Sequence, residues 1–422
     1  MKSHSRREVL GAAGKLAAVG AAAAMTGCDL ARASKPAATT TGAVSDVVAF
    51  HGDPPAGIVP PAQERLLYGA FDLLDDDRHA LQSLLQEWTT AAAAMTAARP
   101  VGSVAPANTS AAPTDTGEAI GLPAANLTIT VGLGRRVFVD TKGRDRLGLA
   151  RQLPPPLVDL PAFAGGEHLD PDRSGGDISV QCCADDAQVA FHAFHNLVRL
   201  ARGTAAVRWT QLGFGRTSST STAQDTPRNL MGMKDGTNNL TAEDGAVMRD
   251  HVWVGGRDEP AWMRGGSYAV TRRIRMLLEV WDRSALSDQQ DTIGREKVSG
   301  APLGARREHD PPDLAARDGN GKLVIPADAH IRVSAPSVNN GVRILRRGYS
   351  FSDGVDPATA ELDAGLFFIA YQRDPRRQFI PLQRRLGAED ALNEYIKHVG
   401  SGVFAVLPGV SSGNYLGQRL FD

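Results

Sequence analysis

Asp177-Ile-Ser-Val-Gln-Cys-Cys183 has the composition of a strand, and the segments on its C-terminal side decide the fold class. Residues 186–202 place Val189, Phe194, Leu197 and Val198 on one side of a helix, and Ala206-Val-Arg-Trp-Thr-Gln-Leu212 reads as a returning strand. The same order recurs near the C-terminus. Gly365-Leu-Phe-Phe-Ile-Ala-Tyr371 is an apolar strand, helical turns including 388–398 come next, and Gly402-Val-Phe-Ala-Val-Leu407 closes the unit. Strand–helix–strand therefore appears at 178–212 and at 366–407, which predicts an α+β sandwich of two similar modules with a cleft between or beside them. The copies share a pattern and no convincing identity.

Other segments fit around these units. Asn126-Leu-Thr-Ile-Thr-Val-Gly-Leu133 and Ile274-Arg-Met-Leu-Leu-Glu-Val-Trp281 read as strands. Leu66, Leu67, Ala70, Phe71 and Leu74 recur at helical spacing, as do Leu81, Leu84, Leu85 and Trp88, which predicts a helical pair. The Pro/Ala/Thr/Ser stretch 100–117 is a surface loop.

The 422 residues suffice for two ordinary domains or one large one, and 42% hydrophobic with 22% charged residues is the balance of a soluble globular protein. Lys+Arg 46 against Asp+Glu 47 leaves no excess charge to attract nucleic acid. Three cysteines make no disulfide framework, and the adjacent Cys182 and Cys183 read as buried thiols.

The N-terminus differs from the rest. Ser5-Arg6-Arg7-Glu8-Val9-Leu10 precedes a Gly/Ala-rich apolar run, so residues 1–30 resemble a twin-arginine (Tat) signal, which exports folded proteins. Residues 31–46 read as a flexible tether. Met25-Thr26-Gly27-Cys28 also looks like a degenerate lipoprotein cleavage box, with a chance cysteine in a discarded peptide as the alternative.

Three segments carry candidate chemistry. In Asn229-Leu-Met-Gly-Met-Lys-Asp-Gly-Thr-Asn238, Gly232 and Gly236 flank Asp235 as if the backbone must approach something while one carboxylate is presented; a surface turn is the alternative. In Ile325-Pro-Ala-Asp-Ala-His-Ile-Arg-Val-Ser334, His330 sits where a loop enters a short strand, and small neighbours leave room for a bulky group; it is one of ten histidines. In Arg343-Ile-Leu-Arg-Arg-Gly-Tyr-Ser-Phe-Ser-Asp-Gly354, paired arginines beside aromatics suit an anion site or a solvated strand edge.

Taken in order, these segments resemble the dye-decolourising peroxidase family, in particular its exported branch that includes the deferrochelatase/peroxidases of bacterial iron uptake. Gly232-Met-Lys-Asp-Gly236 matches the family's GxxDG motif. The likeness continues through Pro260-Ala-Trp262, Gly265-Gly-Ser-Tyr268, Glu279-Val-Trp-Asp-Arg283, Gly300-Ala-Pro-Leu-Gly304, Leu345-Arg-Arg-Gly-Tyr349 and Leu407-Pro-Gly-Val410, covering nearly all of the chain after the signal.

The resemblance implies an α+β fold of duplicated ferredoxin-like modules, 47–225 and 226–422, with helices packed on antiparallel sheets. One haem b per chain would sit in the C-terminal module. By position His330 looks like the proximal iron ligand, Asp235 the distal acid/base and Arg346 the distal arginine. Arg346 is preferred to Arg347 because it directly follows Ile344-Leu345. Gly236, Thr237 and Asn238 would border the cofactor with them, and Asp363, in Leu362-Asp-Ala-Gly-Leu366, would stand behind His330. These residue types suit the chemistry, since a carboxylate on the far imidazole nitrogen raises the ligand's basicity. A distal acid can shuttle the peroxide proton, and a guanidinium stabilises charge as the O–O bond breaks.

The implied activity is oxidation of dyes, phenols or other small reductants by hydrogen peroxide; release of iron from haem is the second reading. Implied partners are peroxide and a reducing substrate, a membrane only through a lipidated Cys28, a homo-oligomer, and iron-uptake permease components. The location would be periplasmic or extracellular, with lipoprotein anchoring as a variant. His192 and His195 have metal-compatible helical spacing without a third ligand, and His309 is a reserve candidate for a cofactor carboxylate. Trp209, Trp253, Trp262, Trp281 and Tyr349 are available to relay electrons from bulky reductants but read first as core packing.

Overall fold

The computed structural model of the chain describes residues 46–258 and 260–422. The export signal, Cys28 and tether residues 31–45 lie outside the described residues.

Strand β1 (Arg65–Leu73) occupies the place where spacing predicts the first helix of a pair. Both its faces are buried: Leu66, Tyr68 and Ala70 enter one core, while Leu67, Phe71 and Leu73 enter another. A strand covered on both sides loses its polar alternation, and its continuous apolar run then satisfies helical spacing as well. Helix α1 (Arg78–Met95) does form where Leu81, Leu84, Leu85 and Trp88 recur, and the Asp77 side chain caps it by accepting from the amides of His79 and Ala80.

Strands β2 (Thr128–Gly134) and β3 (Ile178–Ala184), helix α2 (Ala187–Leu200) and strand β4 (Ala205–Arg216) complete the first half. The second half contains α3 (Gly245–His251), β5 (Ser267–Met276), α4 (Leu278–Trp281), α5 (Leu286–Ile293) and α6 (His330–Val333). It continues through β6 (Leu345–Arg346), β7 (Tyr349–Val355), β8 (Leu362–Gln372), α7 (Phe379–Glu389), β9 (Ile396–Val406) and α8 (Gln418–Phe421). Two sequence expectations shift here. The strand over 274–281 stops at Met276 and a short helix carries Trp281, while the helix placed over 388–398 is α7, ending at Glu389 before His398 enters β9.

Every strand pairing is antiparallel. Neighbours run β2-β3-β1-β4 in the first half and β7-β8-β5-β9 in the second, so both halves place their main strands in the order second, third, first, fourth. The pairs β4–β7 and β2–β9 join the halves and close the sheet on itself. Closure leaves an interior, filled by Tyr68, Trp209, Tyr349, Phe367, Tyr371 and Phe404 among others. Alternation along β3 sends Cys183 into that interior and Cys182 to the outer core under α1 and α2, so the two buried thiols point apart.

Candidate active site

In the first half, α1 and α2 pack directly on the outer face of the sheet. In the second half the corresponding face carries Ile274 and Met276 of β5, Leu366 and Phe368 of β8, and Ile396 of β9. Helices α6 and α7 and the 229–239 loop stand across from it and leave a cavity of about 990 Å³. That volume lies at the upper end of the ~300–1,000 Å³ common for ligand pockets. Its walls are largely apolar, with polar side chains converging at a few points.

One such point is His330, the first residue of α6, not of a short strand as its surroundings predict. Arg332 holds the preceding loop by donating to the carbonyls of Pro326 and Ile325 at 2.8 and 2.7 Å. His330 Nδ1 lies 2.6 Å from Asp390 Oδ2. A carboxylate in that contact accepts, so Nδ1 carries the proton and the lone pair sits on Nε2. Burial opposes protonation of this imidazole, but the charge and hydrogen bond of Asp390 outweigh it and raise the pKa. Asp390 is itself oriented, because its other oxygen accepts the Leu392 amide at 2.9 Å.

Two other histidines line the cavity, and their surroundings set them apart. His398 receives Arg272 Nε at 3.4 Å on Nδ1, and burial together with that guanidinium pushes its pKa down to about 3. A positive neighbour withdraws electron density where a carboxylate would supply it, so His398 is a poor metal donor. His309 is 71% exposed at the rim. His330 is the histidine of this cavity equipped to ligate a metal.

Asp235 and Arg346 form a second point. Arg346 Nη1 donates to Asp235 Oδ1 at 2.7 Å, and Asn229 Nδ2 donates to Oδ2 at 3.1 Å. Gly236 makes the loop possible: its φ is +94°, and a Cβ there would lie 2.8 Å from the Ser218 Cα. Ser218 Oγ and Asn239 Nδ2 both donate to the Arg346 carbonyl at 2.8 Å, and the Arg346 amide donates to Asn239 Oδ1 at 2.8 Å. The loop and the strand are thus stitched together. The next residue, Arg347, points the opposite way, is fully buried, and donates to Pro60 O at 2.6 Å, Gln63 Oε1 at 2.5 Å and Thr220 Oγ1 at 3.1 Å. Of the arginine pair, only Arg346 lines the cavity.

Gly236, Thr237 and Asn238 line the cavity as expected, but Asp363 does not. Leu366 and Phe368 share one face of β8, and the odd-numbered Asp363 belongs to the other, where it accepts from Arg273 Nη2 at 2.8 Å. The carboxylate behind His330 is Asp390. Sequence reasoning gave no site role to Asn229 or Asn239; Trp281, read there as core packing, is fully buried, and its Nε1 donates to Met231 O at 2.9 Å beneath the Asp235 loop. His192 and His195 lie away from the cavity and share the Glu118 carboxylate at 2.9 and 2.6 Å.

A largely apolar cavity into which a carboxylate-backed imidazole and an acid–arginine pair converge has the makings of a cofactor site in an α+β fold. Comparison with known families names it. The family model for Dyp-type peroxidase, N-terminal, matches residues 55–215, and that for Dyp-type peroxidase, C-terminal, matches 226–411. The chain belongs to the Dyp-type peroxidase family and is a peroxidase. The deferrochelatase of Escherichia coli (strain K12) is 38% identical over 99% of this chain and 96% of its own length. The DyP-type peroxidase of Streptomyces coelicolor superposes with a TM-score of 0.81 at 41% identity, covering 92% of this chain and 100% of that one. Ferric DtpA from Streptomyces lividans gives 0.81 at 41% identity, over 92% and 99%.

Proposed function

We propose that the cavity holds one haem b, with His330 as the residue that would ligate its iron and Asp235 and Arg346 as the residues that handle peroxide. The donor set fits: an imidazole with its proton fixed on Nδ1 offers Nε2, and the flanking walls are apolar enough for a porphyrin. The ferric and oxyferrous states in which the Streptomyces lividans relative was solved are states of iron. Bound haem supplies the iron at which peroxide is reduced and to which the reducing substrate returns electrons. Asp235 takes the proton from one peroxide oxygen and delivers it to the other, which already carries one and leaves as water. Arg346 stabilises the negative charge that develops on the parting oxygens, and its contact with Asp235 keeps the carboxylate aimed into the cavity.

One observation carries this reading: a carboxylate-backed imidazole and an arginine–aspartate pair converge on a single cavity. Stopped-flow mixing with peroxide tests it. Asp235→Asn and Arg346→Leu are expected to slow the first peroxide step by about 10²-fold or more while the Soret band persists. Unchanged rates in both remove their assigned roles. His330→Ala should remove the iron ligand and weaken or abolish haem retention.

The repeated strand order supports reading the chain as two ferredoxin-like modules, 47–225 and 226–422. Release of iron from haem is the second reading, favoured because the curated relatives carry the name deferrochelatase. Incubation with haem and a search for metal-free porphyrin separates the two. The Arg6-Arg7 segment supports Tat export to the periplasm or beyond, where a membrane contact would come only through lipidation of Cys28. Loss of export of a fused reporter on Arg6→Lys/Arg7→Lys tests that route.

A further inference from the structure

Segment 308–315 borders the mouth of the cavity, and Glu308 is its one residue that ties back to the Asp235 loop through its side chain on both sides. Its Oε2 lies 2.9 Å from Lys234 Nζ, and its Oε1 accepts Thr237 Oγ1 at 3.0 Å. Lys234 is the residue before Asp235, and Thr237 stands two after it. The Glu308 backbone is anchored as well, because its carbonyl accepts Arg295 Nη1 at 2.9 Å while the same nitrogen donates to Gly300 O at 2.6 Å. Only 14% of the Glu308 side chain is exposed. Burial opposes its ionisation, yet hydrogen bonds from Thr226, Lys234 and Thr237 hold the carboxyl below its ordinary range, as a fixed anion.

None of these atoms touches Asp235. What they constrain is the backbone on either side of it, and the Asp235–Arg346 contact depends on where that backbone stands. The loop is held internally by Gly232 N to Asn229 O at 2.9 Å, Asn229 N to Met233 O at 3.1 Å and Asp235 N to Pro227 O at 2.9 Å, and the two Glu308 contacts add side-chain ties on either side of Asp235.

We propose that Glu308 is a positioning residue for the peroxide reaction, bridging Lys234 and Thr237 so that the Asp235 carboxylate stays aligned with Arg346. The proposal rests on the role assigned to Asp235. It differs from a purely structural staple in one respect: its effect must pass through Asp235. A displacement of about 1 Å at a reacting group is enough to cost orders of magnitude in rate.

The test uses the haem-loaded protein and a double-mutant cycle. Glu308→Ala should slow the peroxide step roughly tenfold, with Glu308→Gln recovering part of the rate because it still accepts from Thr237. The pH midpoint of the resting Soret spectrum should move in Glu308→Ala, a readout independent of turnover. In the Asp235→Asn background, Glu308→Ala should change the rate less than about twofold. Equal slowing in both backgrounds, or no slowing and no spectral shift in the wild-type background, overturns the proposal. Should Glu308→Ala fail to fold, Glu308→Gln carries the same cycle with a smaller expected effect. If Asp235→Asn itself leaves the rate unchanged, the reading of Asp235 fails, and that result is separate from any effect of Glu308.

Discussion

Asp390 stands 2.6 Å behind His330 Nδ1 although the two residues are 60 positions apart in the chain. The contact exists because α7 ends at Glu389 and the chain turns there: one Asp390 oxygen caps the next turn while the other reaches the imidazole. Replacing it leaves the ring free to rotate and removes the charge behind it. Asp390→Asn is therefore expected to weaken haem binding by roughly 10–100-fold, read by titrating the apo-protein and following the Soret band. Asp363→Asn should leave that titration unchanged; a loss there instead would return the supporting role to Asp363.

The two neighbouring arginines should separate cleanly. Arg347→Met leaves the carbonyl of Pro60 and the side chains of Gln63 and Thr220 without their buried donor, so a stability loss of about 3 kcal/mol or more is expected in urea unfolding. Arg346→Leu should change unfolding by less than about 1 kcal/mol, since its guanidinium faces the cavity and is partly exposed. The reverse ranking would show that the strand is turned the other way.

Gly236→Ala tests the backbone beneath Asp235. A Cβ at φ +94° and 2.8 Å from the Ser218 Cα must displace one of the two chains. We expect a loss of roughly 1–3 kcal/mol together with slower reaction with peroxide. A variant of normal stability and rate would mean that the loop adapts without cost.

Glu118 gives a pH prediction remote from the cavity. Burial opposes its ionisation, but hydrogen bonds from Thr116, His192 and His195 bring its pKa down to about 2 from an ordinary 4.5. A carboxyl depressed on folding contributes stability that is complete above the unfolded value and is lost as pH falls toward the folded one. The stability difference between wild type and Glu118→Gln should therefore hold at pH 6 and shrink between about pH 4.5 and 2. A difference independent of pH in that window would rule out the ionised contact.

The sequence by itself determined which segments matter. The Asp235 loop, the His330 segment and the arginine pair stand out locally, although each also allows a bland structural reading that only the ordered resemblance sets aside; the strand–helix–strand order at 178–212 and 366–407 is present, with the second helix at Phe379–Glu389 and not at 388–398. Local composition carries that much because strand and helix formation respond to neighbouring residues. What only the tertiary structure decided was which side each residue faces and what waits there. Residues 65–73 satisfied helical spacing because both faces of that strand are buried, a fact that depends on the helices and strands packed around it. Asp363 looked suitable behind His330 until the alternation of β8 turned it toward Arg273, and the residue that does stand there comes from the end of a different helix. The same alternation sends Arg346 into the cavity and Arg347 into a bed of carbonyls, although the two share one sequence motif. Periodicity reports that a residue is covered; only the closed sheet sets what covers it.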